Sequence, residues 1–552
     1  MDLSIAQIAS TLVLAWFVWT ILNGLYNLYW HPLAKYPGPK LAAFTLWWKI
    51  YCELFSKENP VDIVARLHEV YGDIVRIAPN ELHFSNPSAF HDIHNARNRW
   101  TKDRLLYDAF AEAESSFSLC DYRKAKARKD ILYPLFSRKS IVDMQYLVQD
   151  CVSTALFMSL VASSNTPFKI DQMCATMCAQ YEQGKSTNIL RALRCLSLDA
   201  IMSFCFAKSL NTLKEPDFCA PVEHSMTLAL PMVTWIKYIP FIKTFTVHCP
   251  PATIEFLRPQ MAGLTSFHLF VKDQVDEVTK NPEALQKAPH PVIYHALLSS
   301  AHGQKISNMS LRDEALLLVF AGTDTASTTL TVGLIHVLNN TAVHRKLTAE
   351  IMEFWPNLEL KPRFEDVERL PYLGAVLKEA LRFAGGPLSP MTRIVPRGGA
   401  EISGKHIPGG TVVGISTRFV HMNESIFRDA HSFDPERWLG PGAENLEHWL
   451  VAFSRGPRSC LGTNLAWCKM YLTFANLFRR FELQLDGIGQ VTICASRKTT
   501  SLTTSGAVLQ CTDLYPMLFL RALGATVDDT VRCSVDLFAE DRDGLEKASS
   551  GS

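Results

Sequence analysis

One cysteine in this 552-residue chain stands where its sulfur could serve as a permanent anion. Cys460 lies in Phe453-Ser454-Arg455-Gly456-Pro457-Arg458-Ser459-Cys460-Leu461-Gly462, between a glycine-rich turn and the apolar, helix-like run Leu465, Ala466, Trp467, Met470, Tyr471 and Leu472. At a helix N-terminus, free backbone N–H groups and the helix dipole favour a thiolate over a thiol. Arg455 and Arg458 push the same way. An anionic sulfur of this kind is the proximal ligand that lets haem iron cleave an O–O bond. The competing reading is a small, buried, structural cysteine in a tight turn.

Two other stretches carry compatible chemistry. Leu316-Leu317-Leu318-Val319-Phe320-Ala321-Gly322-Thr323-Asp324-Thr325-Ala326 begins as a buried helix, then sets an acid and a hydroxyl beside a glycine. Glycine inside a helix costs about 1 kcal/mol against alanine, so something must approach the backbone there. Ala321 and Gly322 leave room for a flat cofactor and for dioxygen, Thr325 can hydrogen-bond the oxygen, and Asp324 can relay protons from solvent. Further on, Glu379 and Arg382 fall on one helix face and can pair. Such a pair on a surface is worth little. Here Phe433-Asp434-Pro435-Glu436-Arg437-Trp438 follows and offers Arg437 to complete a Glu–Arg–Arg network.

The elements that must hold these residues read as mainly α with a small β region. Apolar residues recur at helical spacing over 190–213, 256–280, 310–340 and 464–482, whereas Tyr71-Gly72-Asp73-Ile74-Val75-Arg76-Ile77-Ala78 alternates like a strand after a helix. Gly404-Lys405-His406-Ile407-Pro408-Gly409-Gly410-Thr411-Val412-Val413 reads as a hairpin. A hydrophobic content of 48% supports a large core, and a net charge of +1 with no basic, aromatic-interleaved tract argues against nucleic acid. The 14 cysteines form no C-x-x-C pairs, so most read as small buried hydrophobes of a reducing compartment.

At the N-terminus no charged residue occurs from Leu3 to Leu25, which is long enough for a helix to cross a bilayer. Tyr26, Tyr29 and Trp30 follow as an interfacial belt, and Lys35 and Lys40 place the remainder on the cytosolic side. A cleaved signal peptide would need a basic start and a shorter apolar core. Prolines at 32, 37 and 39 then make a stiff connector. The resulting division is a membrane anchor over 1–27, a proline-rich hinge over 28–40, a body over 41–486 and an atypical tail over 487–552 that ends in an acidic and polar run.

The spacing F-x-x-G-x-R-x-C-x-G around Cys460 resembles the cysteine-ligand loop of the cytochrome P450 family. The Ala321–Thr325 stretch resembles that family's oxygen-activation segment, and Glu379–Arg382 with Pro435-Glu436-Arg437 its E-x-x-R and P-E-R motifs. Trp30-His31-Pro32-Leu33-Ala34-Lys35-Tyr36-Pro37-Gly38-Pro39-Lys40 is similar to the hinge of fungal microsomal members from secondary metabolism, such as the trichodiene oxygenase type. The resemblance implies the cytochrome P450 fold behind one transmembrane helix, with haem b held by Cys460 as axial thiolate. Gly456 and Gly462 would let the loop approach the porphyrin, and Phe453 would shield the sulfur. Arg458 and Arg393 match positions that pair with haem propionates. Glu379, Arg382 and Arg437 would lock the ligand loop as structural support.

One departure falls in Asp121–Lys129, where alignment puts Ala125 and Lys129 at positions that are usually Trp or His and Arg. Lys129 or Arg128 would then serve a propionate, a lysine doing so without the bidentate fork. The basic run is a solvated helix face or a docking face for an acidic flavoprotein. Joining Gln149–Val152 directly to Asp171 would restore one family-like helix, which makes 153–170 an insertion or a translated intron. No closing hairpin pattern is visible after Gly487.

By this resemblance the chain is a monooxygenase that inserts one atom of O2 into a hydrophobic, terpenoid-like molecule by hydroxylation or epoxidation, in one step or several. Its electrons would come from NADPH through NADPH–cytochrome P450 reductase, with cytochrome b5 as a second donor, at the endoplasmic reticulum membrane. Leu316, Leu317, Phe320 and Ala321 would face Gly386–Met391 across the haem, with Leu105–Phe117 as a third wall. Rival readings are a reductase-independent haem-thiolate isomerase or dehydratase, and a non-catalytic haem or ligand-binding protein. The intact pair Asp324–Thr325 speaks against both.

Overall fold

A computed structural model describes residues 5–110, 112–148, 169–183, 186–242, 244, 249–299, 306–358, 360–485 and 491–494. The inferred insertion lies outside these residues except at its last two positions, which open the helix Lys169–Glu182. The tail lies outside them apart from 491–494.

The apolar N-terminal run forms one helix, Ile5–Tyr29, and its Leu12, Leu14, Trp16, Trp19 and Leu22 side chains stand exposed. Its last turn is seated on the body. Arg76 donates to the Asn27 carbonyl at 2.8 Å, and a Cβ on Gly24 would fall 2.2 Å from the Phe44 ring. Among the described residues a second helix, Asn308–Asn339, is also long and apolar enough to cross a membrane, but it is mostly buried in the protein core.

This second helix is the axis of the fold. Ser307 caps it by accepting the Ser310 N–H at 3.1 Å, which satisfies one of the free donors of the first turn. Ile189–Phe206, Pro371–Ala384 and Thr463–Arg480 pack around it. At Gly333 a Cβ would meet Ala380 at 2.8 Å and Phe474 at 2.9 Å, so glycine there lets three helices converge. The expected helical stretch 256–280 divides at Arg258–Pro259, giving Pro251–Leu257 and Ala262–Lys280, because proline cannot donate to the preceding turn.

The β region includes a five-stranded sheet in the order Ile74–Ala78, Glu81–Phe84, Val412–Gly414, Arg393–Ile394, Thr101–Lys102. The hairpin expected over 404–413 does not form. Lys405–Ile407 instead pairs back on Ala400–Ile402, and Val412–Gly414 enters the larger sheet. The turn between them explains why. Gly410 donates to the Val395 carbonyl at 2.9 Å, and a Cβ on Gly409 would meet Arg397 O at 2.4 Å. The turn is therefore pressed onto residues 395–397 and delivers the chain to a different sheet. After the body, Val491–Cys494 pairs antiparallel with Glu482–Leu485, so a two-stranded hairpin stands where the pattern showed none.

Between the helical core and the cysteine loop lies a buried ionic knot. Glu379 and Arg382 are fully buried, and Glu379 Oε1 and Oε2 accept from Arg382 at 2.8 and 2.9 Å. Glu379 also accepts from Arg437 Nε at 3.1 Å, Trp438 Nε1 at 2.9 Å and the Asp434 N–H at 2.9 Å. Arg382 spends its remaining donors on the carbonyls of His421, Ala430 and Ser432. Removing one partner of such a knot leaves uncompensated buried charge, at a cost of roughly 3–5 kcal/mol. Glu379→Ala should therefore lower the urea midpoint by a corresponding amount. A midpoint equal to that of the parent would contradict this account of the knot.

Candidate active site

The loop before Thr463–Arg480 is shaped by local bonds. Ser454 adopts φ +55° and Gly456 φ +71°, and the Cys460 N–H closes the loop by donating to the Phe453 carbonyl at 2.9 Å. A Cβ on Gly456 would lie 2.5 Å from His94 O and 2.8 Å from Asn95 O. This glycine thus answers to the packed backbone of 94–95. Gly462 is different: a Cβ there would meet only the Cys460 sulfur, at 4.0 Å.

Cys460 opens onto a cavity with about 1740 Å³ unfilled by atoms, partly open to solvent. Burial by the surrounding protein pushes its thiol up, against opposing bonds from Gly462 and Thr463 and the nearby charge of Lys129. The cation that favours the thiolate is therefore Lys129, whose amine donates to Ser459 O at 2.7 Å. The two arginines expected to do so are turned elsewhere. Arg455 donates to Glu447 O and His448 O, and Arg458 to Cys120 O and Asp121 O. Arg128 pairs with Glu314 and Ser310, away from this space.

The opposite wall is the axial helix. Leu317, Leu318, Ala321, Thr325 and Ala326 line the cavity. Leu316 and Phe320, expected there, pack into the core instead, because helical spacing turns them to another face. Gly322 also borders the cavity, but a Cβ on it would meet Ile201 at 2.9 Å, so close packing against Ile189–Phe206 demands the glycine. Thr325 Oγ1 donates to Ala321 O at 2.9 Å. Asp324 faces away and pairs with Arg194, whose other bonds reach Glu223 at 3.4 Å and Thr227 at 2.8 Å. Gly386, Pro387, Ser389 and Met391 close one side, and Tyr107, Ser116 and Phe117 close another.

The rim is cationic. Arg393 is buried and donates to Tyr107 OH at 2.8 Å and to the carbonyls of Met391 and Thr392. Lys102, which the sequence pattern did not single out, is buried beside it, donates to Phe117 O and lies 4.0 Å from the Tyr107 ring centroid. Among the described residues no carboxylate forms an ion pair with Lys102, Lys129, Arg393 or Arg458, and Arg458 Nε and Nη1 are buried without partners. Burial first, then the neighbouring Arg393, pulls the Lys102 amine well down and Arg458 down to about 10. Buried cations normally have partners, so this rim fits a ligand that brings carboxylates. Two further residues escaped the pattern: Arg194, and Lys469, whose place among Leu465, Cys468 and Leu472 on a buried helix face was the available signal.

The knot at Glu379 reaches this loop through one histidine. Arg382 donates to the His421 carbonyl at 2.7 Å, and the His421 ring Nε2 accepts the Val451 N–H at 2.9 Å, at the entry to the loop.

Fold and site together define a helical protein enclosing a cofactor-sized cavity with a thiol at its floor and unpaired cations on its rim. Comparison with known proteins agrees. The family model "Cytochrome P450" matches residues 37–510. Cytochrome P450 monooxygenase flvC of Aspergillus flavus is 32% identical over 521 residues, covering 88% of this chain and 92% of the relative. Conidiogenone synthase PchP450 of Penicillium rubens is 30% identical over 494 residues, covering 88% and 95%. Cytochrome P450 monooxygenase cloA of Claviceps purpurea is 30% identical over 494 residues, covering 88% and 92%. The chain belongs to the cytochrome P450 family and is a monooxygenase of the fungal secondary-metabolism kind. Members of this family hold haem through a cysteine thiolate and use O2.

Burial, reinforced by Arg382, pulls His421 down to about 3, so its ring stays neutral and can accept from Val451. A histidine whose folded value is depressed contributes stability that is fully present above about pH 6.5 and is lost as pH falls towards the folded value. Between pH 6.5 and 4.5, unfolding free energy should fall less steeply in His421→Asn than in the parent, by up to about 1.4 kcal/mol per pH unit. Equal slopes in urea titrations would refute this assignment.

Proposed function

We propose that the cavity holds haem b through the Cys460 thiolate and serves to oxidise a lipophilic, terpenoid-like small molecule. The observation that carries this reading is a thiol floor, an unpaired cationic rim and an apolar opposite wall in one cavity. When bound, haem would supply O2 activation, through which one oxygen atom enters a C–H or C=C bond while two electrons and two protons reduce the other to water.

The chain's own residues then divide the work. Cys460 would ligate the iron, and Gly462, where a Cβ would meet only the Cys460 sulfur, would leave the helix start clear for the porphyrin. Phe453, whose ring lies 5.9 Å from that of Trp467, shields the sulfur and tunes its basicity. Arg393, Arg458 and Lys102 take the propionates, relieving the crowding of like charges. Lys129 ties the loop through Ser459 and contributes its charge beside the sulfur. Glu379, Arg382 and Arg437 hold that loop by way of His421. Thr325 offers its hydroxyl to the cavity, and Asp324, half-exposed and paired with Arg194, connects the same turn to solvent for proton delivery.

The helix Ile5–Tyr29 anchors the chain in the endoplasmic reticulum membrane as a single span, and 28–40 form the hinge to a cytosolic catalytic domain. On the helix Tyr122–Leu132, the exposed Arg123, Lys124 and Lys126 suit the acidic surface of NADPH–cytochrome P450 reductase, with cytochrome b5 as an alternative donor. Residues 153–170 are an insertion in this domain. Substrate is bound by shape, since Leu317, Leu318, Ala321 and Phe117 offer it no charge.

Microsomes containing the protein and the reductase should convert a member of a panel of neutral terpene hydrocarbons and alcohols under ¹⁸O2. The product should carry ¹⁸O and should form only with NADPH. Label arriving from water, or product formed without NADPH, would contradict the proposal.

A further inference from the structure

Lys469 is a buried cation that the reading above leaves without a task. It stands on the helix that follows the cysteine loop, at 3% exposure, and borders the cavity. Its amine donates to the Gly322 carbonyl at 2.6 Å. Among the described residues it forms no ion pair with a carboxylate, and Asp324, two positions from Gly322, is turned to Arg194. We infer that Lys469 is a positioning residue that clamps the Gly322 carbonyl and thereby fixes the turn presenting Ala321 and Thr325 to the cavity.

Helical pairing makes Gly322 O the acceptor for the Ala326 N–H, so a second, charge-assisted bond to that oxygen restrains the whole turn. The clamp also joins the helix that follows the cysteine loop to the axial helix Asn308–Asn339, which sets the spacing of the two walls. Restraining the turn beforehand reduces the ordering cost when a ligand occupies the space beneath it. The titratable groups facing Lys469 are thiols, Cys468 on its own helix and Cys205 on Ile189–Phe206. Burial pulls the amine down to about 8 against the weak opposing pull of those thiols. The amine is thus mostly charged at pH 7 and loses its charge above pH 8, which weakens the clamp.

The inference rests on the haem reading only where a haem ligand serves as probe, so its test begins with a measurement that needs no turnover. Amide exchange should be at least tenfold faster over residues 322–329 in Lys469→Met than in the parent, and close to the parent in Lys469→Arg. Titration with 4-phenylimidazole, followed by its Soret shift, should show at least fivefold weaker binding in Lys469→Met at unchanged haem content. In the parent, the affinity should fall between pH 7 and 9.5, and in Lys469→Met it should stay flat. Exchange and affinity within twofold of the parent in Lys469→Met would overturn the inference. If that variant fails to fold, a parent affinity that is flat from pH 7 to 9.5 would overturn it instead. A parent that takes up no haem would count against the haem reading, and the exchange result would still decide the clamp.

Discussion

Glu379 is fully buried and surrounded by donors: Arg382 twice, Arg437, Trp438 and the Asp434 backbone. A buried carboxylate is tolerable only when its lone pairs are so fully occupied. The arrangement has consequences beyond charge balance. Arg382 gathers the carbonyls of His421, at the end of the short helix Thr417–His421, and of Ala430 and Ser432 in the turns that follow it. His421 passes the restraint to Val451, the Ser454 N–H bonds back to Val451 O, and the Cys460 N–H bonds to Phe453 O. A continuous path of hydrogen bonds therefore runs from a core helix to the sulfur-bearing residue. This gives an irregular loop the rigidity that a ligand site requires.

The cavity has the opposite electrostatic character. Lys102, Lys129, Arg393 and Arg458 converge on it with no ion-paired carboxylate among the described residues, and burial drives Lys102 and Arg458 towards their neutral forms. The protein tolerates this because carbonyls and aromatic faces partly solvate the cations, as Phe117 and Tyr107 do for Lys102. The wall built by the axial helix carries no charge and is apolar apart from the hydroxyls of Thr325 and Thr329. One side of the cavity thus asks for anions and the other for hydrocarbon, which is how a dianionic, flat cofactor and a lipophilic substrate would share it.

Much of this was legible in sequence wherever chemistry and local spacing coincide. The cysteine loop, the uncharged N-terminal run and the Glu379–Arg382 pair are short-range patterns, and each stands in the structure as a loop before a helix, a helix and a buried pair. What spacing could not give was long-range partnership. Lys102 sits on a two-residue edge strand and Lys469 inside an apolar helix run, and each acquires meaning only from residues far away in the chain. Glycine shows the same dependence on distant residues at two positions. Gly456 and Gly322 look like allowances for a cofactor, yet neighbouring protein backbone and the Ile201 side chain fill the space where their Cβ atoms would be. The hairpin expected at 404–413 failed because strand pairing depends on which edge the turn is pressed against.

The claim on which the functional account stands is that the sulfur of Cys460 ligates haem iron as a thiolate. Purified protein, reduced with dithionite under carbon monoxide, tests it directly. The account predicts a Soret band shifted far to the red in the parent, and its loss in Cys460→Ser. A parent lacking that band, or a Cys460→Ser variant that keeps it together with its haem, would contradict the account.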